Sequence, residues 1–475
     1  MRAVSTDQLD ALVDATFHDR GLVGLAAGAV LAGKPLLSRT VGMANVEMVR
    51  SVTPDTRFRI ASVSKTFTAI ALLRLVEQGR VSLDDPVNDH LKHFRVEHSD
   101  PKVPPVLIRH LLTHRSGLTD PLRRRDLLNP SRVFGTKDGR PVPSLIERYG
   151  RVVRPRVARE REWMYSNEGF AILGQVVEDV TATPFAQHIQ DAIFLPLGMN
   201  RTNFEAHGGD RDTAAVGYRV KGIRIQPVTY RNAPTIAAGG AVSTLEDLLL
   251  YLEALCGDGA NRHGRILQPG TLASMFETHY SLAGRVPYQG WCFFLDRADD
   301  HRIAFHPGDL AGFEAGLTIA PDGRAAAFAV ANRRAGGAPQ RLSLQLLRTL
   351  LGLSPDEPDD RNVHIDAEVA TMLVGDYRAA AGMTTHIRSF MMAGGRLRIR
   401  YEGGNLVMRG RLGVLRSARP LKPVATDDPL WYRAHLHGFY FEDTDMNVVF
   451  GSDGSGRVDR LELGLVGSRF DRVTG

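Results

Sequence analysis

The chain has 475 residues, a formal net charge of +6, 43% hydrophobic residues and 24% charged residues. That length exceeds the range in which a single hydrophobic core keeps growing, so a large domain and a smaller one are expected. The composition excludes a disordered chain, a coiled coil and a membrane bundle. The positive charge alone would suit a nucleic-acid binder, but no basic stretch interleaves aromatics and no zinc or RNP-type motif occurs. Arginines are densest from Arg115 to Arg161, with Arg123, Arg124, Arg125, Arg154 and Arg156 among them. They read as a solvated face or as an anion-attracting rim around a pocket. The two cysteines, Cys256 and Cys292, lie far apart without metal-ligand spacing, so they are expected as buried small hydrophobes.

In chain order, Met1 to Arg20 carries Asp7, Asp10, Asp14 and Asp19 and lacks a basic start, which predicts an amphipathic helix rather than a secretory leader, and a cytoplasmic protein by default. The apolar run Gly21 to Gly33 is too short to span a bilayer and reads as a buried strand. Ala32-Gly33-Lys34 then turns it into a return strand, Pro35 to Val41. Thr66 to Gln78 is a helical run ending at Gly79, and Phe67, Ile70, Ala71, Leu73 and Leu75 give it a buried side. Ser243 with Glu246 forms a capping box that opens a further helix.

The helical stretch Gln340 to Leu351 is followed by an acidic, proline-broken segment, Ser354 to Asp360, which predicts a domain over 1–353, a linker over 354–365 and a second domain over 366–475. Beyond the linker the pattern becomes that of hairpins. Leu397 to Tyr401 alternates, Gly403-Gly404 turns and Leu406 to Arg409 returns; Val448 to Phe450, Asp453 to Gly456 and Val458 to Leu463 repeat the logic. The fold class is therefore α+β followed by a small all-β domain. His435 and His437 share a strand face there, but a third and fourth ligand are not evident, so a surface pair is preferred to a metal site.

Three short motifs carry chemistry. Ser62-Val63-Ser64-Lys65 opens the first long helical run, so the Ser62 N–H and the helix dipole can stabilise negative charge on a tetrahedral intermediate. Residues three apart share a helix face, which brings the Lys65 amine to the Ser62 hydroxyl, where it can act as a base. Ser-x-x-Lys occurs about once by chance in a chain of this length, and serine is also a favoured N-cap. Ser64 stays open as a nucleophile on chemistry alone, and the spacing favours Ser62. Tyr165-Ser166-Asn167 is a loop entering a helix: a tyrosine near an ammonium can shuttle a proton, and an asparagine two residues on can bind a substrate amide, although a surface tyrosine and an N-cap asparagine fit the same tripeptide. Phe305-His306-Pro307-Gly308-Asp309 offers a small strand edge against which substrate can lie, with the N–H after Gly308, that of Asp309, as a second oxyanion donor; alone, His-Pro-Gly also reads as a turn.

The order and separation of Ser-x-x-Lys, Tyr-x-Asn and His-x-Gly resemble the class C β-lactamase and penicillin-binding-protein-like serine hydrolase family. Flanking stretches resemble it too: Phe58 to Ala61, Gly79 to Val87, Leu111 to Leu118, Phe194 to Met199 and Ala238 to Thr244. The resemblance spans roughly residues 5–350 and implies an antiparallel sheet flanked by helices plus an all-helical lobe. It implies that Ser62 is acylated, that Lys65 and Tyr165 share general-base duty, and that Asn167, His306, Gly308 and Asp309 bind substrate, the last through its backbone N–H. His306 stands where related enzymes carry the lysine of Lys-Thr-Gly, a departure that looks more like the family's esterases and peptidases than its efficient β-lactamases. Asp309 places an acidic side chain beside the oxyanion donor. From Val374 onward the chain resembles a lipocalin-like barrel appended to some D-aminopeptidases and esterases.

The reading that follows is acyl transfer to and hydrolysis from Ser62, on a small ester, amide or D-peptide, with neither metal nor organic cofactor and with no nucleic-acid or membrane partner. An α/β-hydrolase is disfavoured because no Gly-x-Ser-x-Gly elbow occurs. The alternative is a penicillin-binding or scaffold protein that keeps the fold without turnover. Substrate identity and oligomeric state are left open.

Overall fold

The computed structural model describes residues 5–118, 135–137, 142–155, 163–204, 213–229, 231–232, 235–355, 365–380, 393–424, 428–436, 444–464 and 468–473. The acidic N-terminal segment forms helix α1 (Thr6–Asp19), which buries Leu9 and Val13. Strand β1 (Gly24–Leu31) follows and turns through Ala32 and Gly33 into β2 (Lys34–Asn45). Both turn residues have positive φ, 51° and 76°, the backbone twist that suits a two-residue hairpin. Strand β3 (Arg50–Ser51) ends this unit.

Helices α2 (Ser64–Glu77), α3 (Ile108–Leu112), α4 (Asn167–Thr181) and α5 (Leu245–Cys256) lead to six further strands. These are β4 (Tyr280–Leu282), β5 (Val286–Gln289), β6 (Phe294–Ala298), β7 (His301–Leu310), β8 (Phe313–Ala320) and β9 (Ala325–Ala331), and helix α6 (Ala338–Leu350) closes the unit. The sheet order is β4-β5-β6-β7-β8-β9-β1-β2-β3, antiparallel throughout. Strand alternation sends Leu25, Ala27 and Ala29 to one face, against Leu342, Leu346 and Leu350 of α6. Ala26 and Val30 go to the other face and join the core of the helical lobe.

Helix α2 differs from the one-sided burial expected for it. Every residue from Ser64 to Leu73 is buried, because α2 runs through the middle of the lobe with its whole circumference covered. The capping box assigned to Ser243 and Glu246 is also corrected. Val242 and Ser243 pair as a short strand with Phe58 and Arg59, so helix α5 starts later; its N-cap is Thr244, whose hydroxyl accepts from the Asp247 N–H at 3.2 Å. Cys256 and Cys292 are buried and unbridged, and burial pushes the Cys256 thiol up to about 12.

After residue 365, eight strands form a closed antiparallel barrel: β10 (Gly375–Ala379), β11 (Arg396–Glu402), β12 (Asn405–Gly410), β13 (Arg419–Pro423), β14 (Trp431–Leu436), β15 (Thr444–Ser452), β16 (Val458–Leu463) and β17 (Ser468–Arg472). Gly403 and Gly404 make the expected turn between β11 and β12, both at positive φ. Most of the linker segment and His437 lie outside the described residues, as do Arg123 to Arg125 and Arg156. Among the described residues no helix is long and apolar enough to cross a membrane.

The barrel is docked through a row of outward residues. Trp431, Val449 and Glu462 stand opposite one another on β14, β15 and β16. Val449 is fully buried among Trp163, Tyr165, Tyr288 and Phe294 of the larger domain. The Glu462 carboxylate accepts from the Tyr280 hydroxyl and from the Ala283 N–H, both at 2.8 Å. Glu462→Ala removes the acceptor for both donors and is expected to lower stability by about 2 kcal/mol, with the barrel melting apart from the rest in calorimetry. One unshifted transition would contradict the docking described.

Candidate active site

The Ser62 turn is built from backbone constraint. Ala61 has φ 49°, left-handed for a residue with a Cβ, and opens a 3-10 turn (Ala61–Val63) that runs into α2. Strain of this kind persists only where surrounding structure holds it. The clamp is visible: the Ile60 N–H donates to Ala241 O at 3.2 Å, and the buried Ser64 hydroxyl donates to Ala61 O at 2.5 Å while accepting from the Ala241 N–H at 3.0 Å. Ser64 is therefore spent on holding the turn, and Ser62 is the serine left half-exposed beside the amine.

Lys65 has no solvent exposure. Its Nζ donates to Ser62 Oγ at 3.0 Å, to Asn167 Oδ1 at 2.8 Å and to Ala238 O at 2.5 Å. Three acceptors answer the three donors of an ammonium. Asn167 reaches the amine because it is not the helix cap. Ser166 takes that place, its Oγ accepting from the Gly169 N–H at 2.9 Å, so Asn167 enters the first turn of α4 with its side chain on the site. The Tyr165 ring centroid lies 4.9 Å from Lys65 Nζ. Ala238 was noted in the sequence only within a flanking stretch, and nothing local indicated that a carbonyl of the short helical turn Ile236–Gly239 would point at the lysine.

His306, Gly308 and Asp309 lie on one continuous strand, β7, not a turn. Its pairing with β6 ends at Phe305, so from His306 onward only β8 is bonded to it and the other backbone edge faces the Ser62 turn. Gly308 is required there: a Cβ would sit 2.5 Å from Ile60 O and 3.3 Å from the Ala61 Cβ. The carboxylate of Asp309 is paired with the Arg334 guanidinium, with two contacts at 2.7 Å, so its charge is answered beside the strand. Arg334 gave no sequence signal, being 25 residues away without a motif.

His306 is fully buried, and its Nδ1 lies 2.8 Å from Pro307 O, which as a carbonyl can only accept. The ring proton is thus on Nδ1, leaving Nε2 as a buried acceptor with no hydrogen-bond partner among the described residues. Burial, with the nearby Lys65 charge adding to it, pushes the His306 pKa down to about 3. The position of the expected lysine thus holds a neutral acceptor instead of a cation. Arg115, a described member of the arginine-rich stretch, lines a cavity of about 370 Å³ with Arg109, His110, Thr113, His279 and Trp291. It also lines a second cavity of about 460 Å³ that reaches Arg460 and Glu462 of the barrel. Neither cavity is lined by Ser62 or Lys65.

A pKa lowered on folding means that the unfolded chain binds the proton first. His306 therefore contributes stability present above about pH 6.5 and lost as pH falls from there towards 3. His306→Gln is expected to lose less stability than the wild type between pH 7 and pH 5 in urea unfolding; equal losses would contradict a buried neutral ring.

The Beta-lactamase family profile matches residues 9–350. Protein flp of Staphylococcus aureus (strain MW2) is 25% identical over 334 residues, 67% of this chain and 61% of that protein. Esterase EstB of Burkholderia gladioli is 37% identical over 204 residues, 42% of this chain and 51% of that protein. The chain thus spans about three fifths and about half of these curated relatives. The octameric penicillin-binding protein homologue from Pyrococcus abyssi shares the fold over 98% of this chain and 100% of its own, with a TM-score of 0.60 and 20% identity. With its profile matched over most of its length and its antiparallel sheet, helical lobe and Ser-x-x-Lys turn in place, the chain belongs to the Beta-lactamase family.

Proposed function

We propose that the protein is a serine hydrolase that takes the acyl group of a small ester or amide onto Ser62 and releases it to water. The observation that carries this reading is the Lys65 amine, buried and 3.0 Å from a half-exposed Ser62 hydroxyl. In the forward step the Ser62 proton passes to the Lys65–Tyr165 pair as Oγ attacks the substrate carbonyl. The oxyanion that forms is met by the Ser62 N–H at the helix start and by the Asp309 N–H on the open edge of β7. The leaving alcohol or amine takes the proton back. Water then repeats the sequence on the acyl-enzyme, returning the proton to Ser62. Asn167 accepts from Lys65 through Oδ1, and a side-chain amide at this place is of the kind that can donate to a substrate carbonyl.

His306 tilts the substrate class. A neutral Nε2 acceptor offers nothing to a substrate carboxylate, so uncharged esters and amides are favoured over β-lactams, whose carboxylate seeks a cation. The likeness to EstB, an esterase, supports the same direction.

A short-chain p-nitrophenyl ester is the direct probe. The wild type is expected to hydrolyse it, and Ser62→Ala to lower kcat/KM by roughly a thousandfold or more, with a cephalosporin turned over more slowly than the ester. Full activity in Ser62→Ala would remove the nucleophile assignment. An acyl adduct that forms on intact mass but never turns over would favour a penicillin-binding protein without hydrolysis.

A further inference from the structure

We infer that His114 is a positioning residue that fixes Tyr165 in the site by holding the backbone on both sides of it. The inference rests on the reading of Ser62 as the acylated nucleophile with Tyr165 as its proton-handling partner. The residue before Tyr165 and the residue after it are both bonded to His114: the Met164 N–H donates to His114 O at 2.8 Å, and the Ser166 N–H donates to His114 Nδ1 at 3.1 Å. The imidazole also lies against the tyrosine ring, 4.5 Å between centroids at 32°. The Phe294 ring runs parallel to the tyrosine ring, with centroids 6.3 Å apart at 8°. Tyr165 thus has both rings as neighbours and its flanking peptides bonded to a single residue.

The position is one at which glycine would be the relaxed choice. His114 follows helix α3 in the left-handed conformation, φ 57°, and is buried. The helix is closed by the Arg115 N–H donating to His110 O at 2.8 Å and the His114 N–H donating to Leu111 O at 3.3 Å, the bonding of a Schellman ending, whose left-handed residue is usually glycine. Both closing bonds are made by backbone, so they need no histidine. What the side chain adds is the Nδ1 acceptor and the ring against Tyr165, and accepting on Nδ1 fixes a neutral imidazole with its proton on Nε2.

That separation of backbone from side chain supplies the test. His114→Gly relieves the left-handed conformation while removing the acceptor and the ring. His114→Asn keeps an acceptor oxygen and tolerates positive φ. With p-nitrophenyl acetate and the full chain, His114→Gly is expected to stay folded with kcat lowered by about ten- to a hundredfold, KM little changed, and a displaced limb in the pH profile of kcat. His114→Asn should recover part of kcat. If His114→Gly keeps the wild-type kcat and pH profile, or His114→Asn is no better than His114→Gly, the positioning role is wrong. 15N NMR of the wild type decides the point should His114→Gly not fold: Nε2 protonated supports the clamp, and Nδ1 protonated overturns it. Ser62→Ala, assayed alongside, separates the two claims. An inactive Ser62→Ala with an unimpaired His114→Gly rejects only the clamp, whereas an active Ser62→Ala rejects the nucleophile and the clamp with it.

Discussion

A lysine amine without solvent must find its acceptors inside the protein, because an unanswered buried ammonium is far more costly than an exposed one. At Lys65 those acceptors come from three separate pieces of chain: the turn at Ser62, the first residue of α4 at Asn167, and the carbonyl of Ala238. The requirement ties the start of the central helix, the Tyr165 loop and the short helical turn Ile236–Gly239 to one point. The rest of the site is arranged around it. Ser64 locks the Ser62 turn to Ala241, Ser166 caps α4 so that Asn167 is released toward the amine, and Gly308 lets β7 approach the Ile60 carbonyl.

The same constraint separates two serines that the sequence leaves together. Ser62 and Ser64 flank Val63, and either hydroxyl is near a lysine in the chain. Folding gives them opposite duties. Ser64 is fully buried with its oxygen used as donor and acceptor by backbone, while Ser62 is half-exposed and bonded to the amine. A left-handed Ala61, opening the 3-10 turn just after the strand-paired Phe58–Arg59, accompanies that division.

What was legible in the sequence was local. The β1–β2 hairpin shows in Ala32-Gly33, the barrel hairpins in Gly403-Gly404 and in the alternation that follows, and the Ser62–Lys65 pair in its three-residue spacing on a helix. What was not legible depended on partners far along the chain. The complete burial of α2 comes from the lobe that surrounds it. The cap at Thr244 instead of Ser243 follows from a strand pair with residues nearly two hundred positions earlier in the chain. Arg334 answers Asp309, and burial of His306 beside Lys65 keeps its ring neutral well below the pH at which a free histidine takes up a proton. The substitution of histidine for lysine was visible; the depth of burial that holds it neutral under acid was not.

The barrel extends this arrangement to the tyrosine. Its outward row on β14, β15 and β16 places Val449 in the aromatic cluster that contains Tyr165, and Glu462 on the turn after β4. A domain distant in sequence thereby becomes part of the wall behind a site residue.

The central claim is that Ser62, not its neighbour, carries the acyl group. It is tested most directly by trapping the acyl-enzyme with a slowly hydrolysed ester, digesting it, and fragmenting the peptide that contains both serines. The geometry predicts the added mass on Ser62; the added mass on Ser64, or on a peptide without Ser62, would contradict it.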